Sequence, residues 1–245
     1  MLHIILTLNK RGGNMEIHGF NKTTLLDYPK HLAATVFLGG CNYRCPFCHN
    51  ASLVRNPHDQ PKIPEEVILS TLSKRKHILE GVCITGGEPT IQKDLPAFIR
   101  KIKEIGLKVK LDTNGNNPGM IKYLVQEDLI DYIAMDIKNS LDKYGITVGI
   151  VNFNTEKIQE SASFIMSCGI PYEFRTTVVK EFHESSDFSM IGDWINGADA
   201  YYLQSFKDSG DVLFPGLSCH SKEELNHFKE LLAPYVKFIE LRGID

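Results

Sequence analysis

The chain has 245 residues, 42% of them apolar and 23% charged, and a formal net charge of −3. That length and apolar content suffice for a sizeable buried core. The mild acidity, with no long basic run, argues against nucleic acid as an obligatory partner, and no apolar run is long enough to span a bilayer.

Residues 1–14 do not read like the rest. The apolar run Leu2-His3-Ile4-Ile5-Leu6-Thr7-Leu8 is too short for a membrane span and lacks a small-residue cleavage site. It is followed by Asn9-Lys10-Arg11-Gly12-Gly13-Asn14, and Arg-Gly-Gly is what a purine-rich ribosome-binding site yields when translated. Natural translation is therefore expected to start at Met15, with 1–14 an extension and 15–245 a single domain. An extra strand or a tail is the other reading of 1–14.

Residues 15–38 read as a hairpin-like opening that leads into the apolar strand Ala33-Ala34-Thr35-Val36-Phe37-Leu38. After a cysteine-rich loop, strands and helices alternate. Helices are expected over 64–76, 94–104, 118–126, 155–167, 187–195 and 221–232; strands over 81–85, 108–111, 132–135, 172–179, 200–203 and 236–241. A glycine-bearing connection is expected over 139–154. This repeat predicts an α/β fold with a mostly parallel sheet. Polar or glycine-rich motifs follow several successive strands, as they do at the reactive rim of barrel-like α/β folds.

The loop Cys41-Asn42-Tyr43-Arg44-Cys45-Pro46-Phe47-Cys48-His49-Asn50 packs half of the six cysteines into eight residues. Three thiolates at this spacing can converge on one metal centre, and Gly39-Gly40 allows a tight turn before the first. A [4Fe–4S] cluster held by Cys41, Cys45 and Cys48 alone leaves one iron with an open position for a substrate or cosubstrate. A structural zinc site would need His49 or a distant residue as its fourth ligand. A redox pair of Cys45 and Cys48 would not need Cys41, and three inert cysteines in eight residues account poorly for the density. Cys83, Cys168 and Cys219 are too scattered to form a second cluster of familiar spacing.

Three further motifs end strands. In Gly86-Gly87-Glu88-Pro89 the glycines remove side chains where a ligand must approach closely, and Glu88 sets a carboxylate beside them; an ordinary turn is the plainer reading. Asp112-Thr113-Asn114-Gly115 offers a carboxylate and a hydroxyl at the same rim. Asp136 and Lys138, two apart in extended chain, face the same way and set a carboxylate and an ammonium at the rim; a solvated salt bridge is the other reading. Arg175 lies mid-strand, where an unpaired buried charge is costly, so it is expected to meet an acidic partner or a ligand carboxylate. Gln204 ends the strand over 200–203.

The cysteine spacing after a first strand, with Phe47 just before the last cysteine, resembles the signature of the radical S-adenosylmethionine superfamily. Lys22-Thr23-Thr24-Leu25-Leu26-Asp27-Tyr28-Pro29, Gly86-Gly87-Glu88, Asp112-Thr113-Asn114-Gly115 and Asp136-Ile137-Lys138 extend the resemblance to activating enzymes of glycyl radical enzymes, above all the anaerobic ribonucleoside-triphosphate reductase activating proteins. The resemblance implies an incomplete β/α barrel in which the open iron of the [4Fe–4S] cluster chelates S-adenosylmethionine. One electron then cleaves the sulfonium, and a 5'-deoxyadenosyl radical takes a hydrogen from a glycine of a partner enzyme. It implies that Gly86, Gly87 and Glu88 receive the amino group, that Asp112, Thr113, Asp136 and Lys138 serve ribose hydroxyls and the methionine carboxylate, and that Arg175 reaches that carboxylate. In some relatives a monovalent cation sits between the two aspartates. Gln204 stands where pyruvate formate-lyase activases carry a histidine near the ribose, a departure that favours the ribonucleotide-reductase branch. A flavodoxin or ferredoxin electron donor and a reducing cytoplasm are also implied. The other readings are an activase of another glycyl radical enzyme, a radical enzyme acting on a small molecule such as a deazaguanine precursor, and a non-catalytic iron–sulfur or zinc module.

Overall fold

The computed structural model describes residues 15–208 and 210–244; the extension over 1–14, with its reading as untranslated, lies outside them. Among the described residues the strands β1 (Ile17–Thr24), β2 (Ala33–Leu38), β3 (Gly81–Gly86), β4 (Lys108–Thr113), β5 (Tyr132–Asp136), β6 (Tyr172–Val178), β7 (Tyr201–Ser205) and β8 (Ile239–Arg242) form one sheet in sequential order. β1 pairs antiparallel with β2, and every later pair is parallel. The expected α/β fold with an open, mostly parallel barrel-like sheet is what forms.

The helices are α1 (Ala51–Arg55), α2 (Glu65–Arg75), α3 (Leu95–Ile105), α4 (Pro118–Gln126), α5 (Tyr144–Val148), α6 (Glu156–Ser167), α7 (Ser185–Trp194) and α8 (Lys222–Leu232). Their ends follow local chemistry. Ser221 and Glu224 make a reciprocal capping box at the start of α8, and Asn117 accepts from the Met120 N–H at the start of α4, where Pro118 suits the first turn. In α3 the buried Leu95, Phe98, Ile99 and Ile102 recur at helical spacing and seat it on the sheet.

The two faces of the sheet differ. Val36, Ile84, Val109, Leu111, Ile133, Met135, Phe174 and Leu203 are fully buried on the helix-packed face. The alternate residues, among them Lys110, Asp112, Asp136 and Arg175, share the other face, inside the curve of the sheet.

Two expectations change in detail. The connection over 139–154 contains α5, a helix of five residues too short to leave a periodic signal, whose Tyr144 is wholly buried. The last strand starts at Ile239, not 236, because Ala233–Tyr235 form a 3-10 turn and Val236 makes only an isolated bridge to Ala198.

The turn after β3 is built on backbone contact. Gly86 sits at φ +117°, and a Cβ on Gly87 would lie 1.9 Å from the Gly40 carbonyl oxygen. The space these glycines free is thus taken by the neighbouring chain, which holds the end of β3 against the start of the cysteine loop. Gly87→Ala should therefore lower stability by about 1–3 kcal/mol, at about 2–4 °C of melting temperature per kcal/mol. Gly119→Ala within α4, whose Cβ would meet only Asn117 Oδ1 at an ordinary 3.8 Å, should raise it by about 0.4–1 kcal/mol. Thermal melts of the cluster-free protein followed by circular dichroism would check the pair, and equal melting temperatures for both variants would refute the packing account.

Candidate active site

The cysteine loop is pinned by segments distant in sequence. The Gly39 N–H donates to the Glu16 carbonyl at 2.7 Å, the Gly40 N–H to Leu53 at 2.8 Å, and the Arg44 N–H to Val148 of α5 at 2.9 Å. The Phe214 N–H reaches the Pro46 carbonyl at 3.0 Å, and the Ser52 hydroxyl donates to Asp211 at 2.8 Å. The Cys48 N–H closes a turn on the Cys45 carbonyl at 3.0 Å. Held this way, Cys41, Cys45 and Cys48 line one cleft with Gly86, Gly87, Glu88, Asp112, Thr113, Asp136, Lys138 and Arg175. Gln204 pairs in register with Thr177, which lines the cleft, but does not itself line it.

The cleft encloses about 750 Å³ including its open mouth. Burial pushes the thiol pKa of Cys41 up to about 12 and that of Cys45 up to about 11, and raises that of Cys48. Among the described residues no three His, Cys, Asp or Glu side chains form a site for a single metal ion. His49 instead stacks on Phe206 with ring centroids 5.5 Å apart. The Tyr43 hydroxyl, buried in the cleft wall, has no hydrogen-bond partner. Three soft sulfur donors beside an orphaned hydroxyl donor fit a polynuclear iron–sulfur group, which takes thiolate ligands and offers acceptor sulfides.

Glu88 is 1% exposed. Its carboxylate accepts from the Thr90 N–H at 3.0 Å, the Thr90 hydroxyl at 2.5 Å, the Thr113 hydroxyl at 2.8 Å and the Asn114 N–H at 2.7 Å. Burial raises its pKa against the pull of these donors. Glu88 thus fastens the end of β4 to the turn after β3, and Thr113 points at it. From there Asn114 Nδ2 donates to Asn42 Oδ1 at 2.7 Å and lies 3.8 Å from Cys41 Sγ. Asn50 Nδ2 donates to the Gly86 carbonyl at 2.8 Å, tying the far end of the cysteine loop to the same turn.

Across β4, β5 and β6 runs a chain of paired charges, Lys110 buried and the others partly buried. Lys110 pairs with Asp112; Arg175 Nη1 lies 3.1 Å from Asp112 Oδ2; Arg175 Nε and Nη2 each lie 2.9 Å from Asp136 Oδ1; and Lys138 Nζ lies 3.0 Å from Asp136 Oδ2. Burial opposes ionisation of Asp136, but Arg175 and Lys138 outweigh it and hold the pKa down to about 2. Burial likewise works against the charge on Arg175, and the two aspartates overcome it, raising its pKa. Arg175 has its acidic partners, while Glu173 instead takes Arg242, at 2.9 and 3.0 Å. Asp136 and Lys138 do face the same way, as a partly buried pair.

Sequence reasoning missed Lys110, Asn50, Thr85 and Thr177. Lys110 was findable, since Lys110-x-Asp112 mirrors Asp136-x-Lys138 on the next strand; the other three carry no local signal. If Glu88 is the fastener described, Glu88→Ala should cost about 3 kcal/mol or more, because each buried donor left unpaired costs about 1–3 kcal/mol. Glu88→Gln should fall between the two. Urea denaturation of the cluster-free protein measures this, and a loss below about 1 kcal/mol for the alanine variant would sink it.

The family model described as the Radical SAM superfamily matches residues 35–186. A Methanocaldococcus jannaschii protein that carries the provisional name glycyl-radical enzyme activating enzyme is 33% identical over 237 residues, 94% of this chain and 96% of that protein. The pyruvate formate-lyase 1-activating enzyme of Escherichia coli is 24% identical over 180 residues, 70% of each chain. Among solved structures, Streptococcus suis SuiB bound to S-adenosylmethionine superposes with a TM-score of 0.62 at 16% identity, covering 83% of this chain. This chain spans about half of SuiB, 48% of its length, and the likeness is one of fold.

Proposed function

The chain belongs to the radical SAM superfamily, and on that premise we propose that it is an activating enzyme that reductively cleaves S-adenosylmethionine at a [4Fe–4S] cluster and generates a glycyl radical on a partner enzyme. The observation that carries this reading is the similarity to the Methanocaldococcus jannaschii protein, which runs over nearly the whole of both chains. The partner we propose is an anaerobic ribonucleoside-triphosphate reductase. The stretch Thr23-Thr24-Leu25-Leu26-Asp27-Tyr28-Pro29, and Gln204 in place of a histidine, favour it over a formate-lyase partner. The protein would work in a reducing cytoplasm, as the domain over 15–245, with a flavodoxin or ferredoxin as electron donor.

In this proposal Cys41, Cys45 and Cys48 hold the cluster, and the turn Gly86-Gly87-Glu88 receives the amino group of S-adenosylmethionine, with Glu88 fixing the turn from behind. Asp112, Asp136, Lys138 and Arg175 face the ligand's ribose and carboxylate, with Thr113 bracing their strand end and Gln204 bordering the ribose side. When bound, cluster and S-adenosylmethionine supply the one-electron chemistry that removes a hydrogen atom from the partner's glycine. The protein's part is orientation. The Tyr43 hydroxyl, Asn114 Nδ2 and the paired charges set polar groups in place before anything binds, so little reorganisation remains at the moment of reaction.

The proposal is tested by anaerobic reconstitution with iron and sulfide, then dithionite and S-adenosylmethionine, with and without candidate glycyl radical enzymes. 5'-Deoxyadenosine and a glycyl radical signal in one partner by electron paramagnetic resonance are expected, and Cys45→Ser should abolish both. Product without a radical in any partner would shift the reading to a small-molecule substrate. No product from a fully loaded cluster would return the loop to a binding role.

A further inference from the structure

The resemblance raises a monovalent cation between Asp112 and Asp136, and the structure disagrees with it. All four oxygens of these two carboxylates already face nitrogen donors. Asp112 holds Lys110 on Oδ1 and Arg175 Nη1 on Oδ2, and Asp136 holds Arg175 Nε and Nη2 on Oδ1 and Lys138 Nζ on Oδ2. The guanidinium lies between the aspartates as a planar fork, with its side chain 14% exposed, and Lys110 behind it is 2% exposed. The cluster of charges therefore counts three cations against two anions, an excess of +1 (3 − 2).

A metal ion placed there would raise the excess to +2 among side chains only 14–28% exposed, where like charges repel more strongly than in bulk water. It would also have to displace at least one charge-assisted hydrogen bond. What the excess does accommodate is an anionic group of a ligand arriving from the cleft. Arginine suits the resident role better than lysine, since its rigid fork spans two carboxylates and it never loses its charge.

We infer that the Arg175 guanidinium is the built-in cation of this site, and that the protein needs no sodium or potassium to bind its ligand there. For the ligand, this rests on the proposed use of S-adenosylmethionine. For the metal, it rests on the charge geometry alone, so the two can fail separately.

Two measurements decide it. The first uses thallium(I), a potassium mimic, followed by thallium NMR on the wild-type protein. No saturable binding is expected, and saturable binding that potassium displaces and that Asp112→Asn/Asp136→Asn removes would overturn the inference whatever the protein's substrate. Arg175→Gln, with its fold checked by circular dichroism, frees Asp112 Oδ2 and Asp136 Oδ1 and should create such binding; a folded variant that gains none also counts against it.

The second measures S-adenosylmethionine affinity of the cluster-loaded protein by equilibrium dialysis in potassium, sodium and choline salts at equal ionic strength. The wild-type dissociation constant should be the same in all three, because two ligands that do not share a site's charge balance show no coupling. A weakening of about fivefold or more in choline, the scale of a true linkage, would overturn it. Absence of S-adenosylmethionine binding in every salt would overturn the ligand half and with it the proposed function, leaving the thallium result to judge the metal half.

Discussion

A guanidinium shared by two aspartates inside a curved sheet is the constraint from which the rest of this site follows. Barrel interiors are ordinarily filled by layers of branched apolar side chains. Here the inner face carries Lys110, Asp112, Asp136 and Arg175 instead, while the apolar layer lies between sheet and helices. Taking such charges out of water costs several kcal/mol each unless partners and hydrogen bonds offset it. The pairing is what makes the polar interior tolerable, and it spans three adjacent strands, so it also fixes the side chains that face the cleft. The same logic repeats lower in the sheet, where Glu173 is held by both arms of Arg242 and by Tyr132 at 3.1 Å.

The cysteine loop shows the complementary principle. Its three donors are local in sequence, but their arrangement is not. Backbone bonds from Glu16, Leu53, Val148 and Phe214 converge on residues 39–46, each from a different part of the chain. Spacing names the donors, and tertiary structure sets their geometry.

This division explains what the sequence could and could not reveal. The element order was legible because turn chemistry and periodicity agree at nearly every boundary; α4, expected over 118–126, forms as Pro118–Gln126 because Pro118 and Asn117 mark its start unambiguously. The residues gathered at the cleft were legible as strand-end motifs, since a parallel sheet brings successive strand ends to one rim. What was not legible were relations between strands. Nothing local says that Arg175 chooses Asp112 and Asp136 over Glu173, because that choice depends on the β4–β5–β6 register. Nor does the motif Gly-Gly-Glu reveal that its glycines accommodate the Gly40 carbonyl and that its carboxylate is occupied by Thr113 and Asn114. Both α1 and α5 escaped for a simpler reason, being five residues long.

The Glu88 fastening has a further bearing. It joins the loop after β4 to the turn after β3, and Asn114 and Asn50 carry the connection on to both ends of the cysteine loop. Three segments are thereby tied to one another by hydrogen bonds before anything binds. The conformational entropy of bringing them into register is lost when the chain folds and not when a ligand arrives, so association has only the ligand's own freedom to overcome. Loosening any one of the three would then be felt as a slower and weaker encounter at the others, with no contact to the ligand removed.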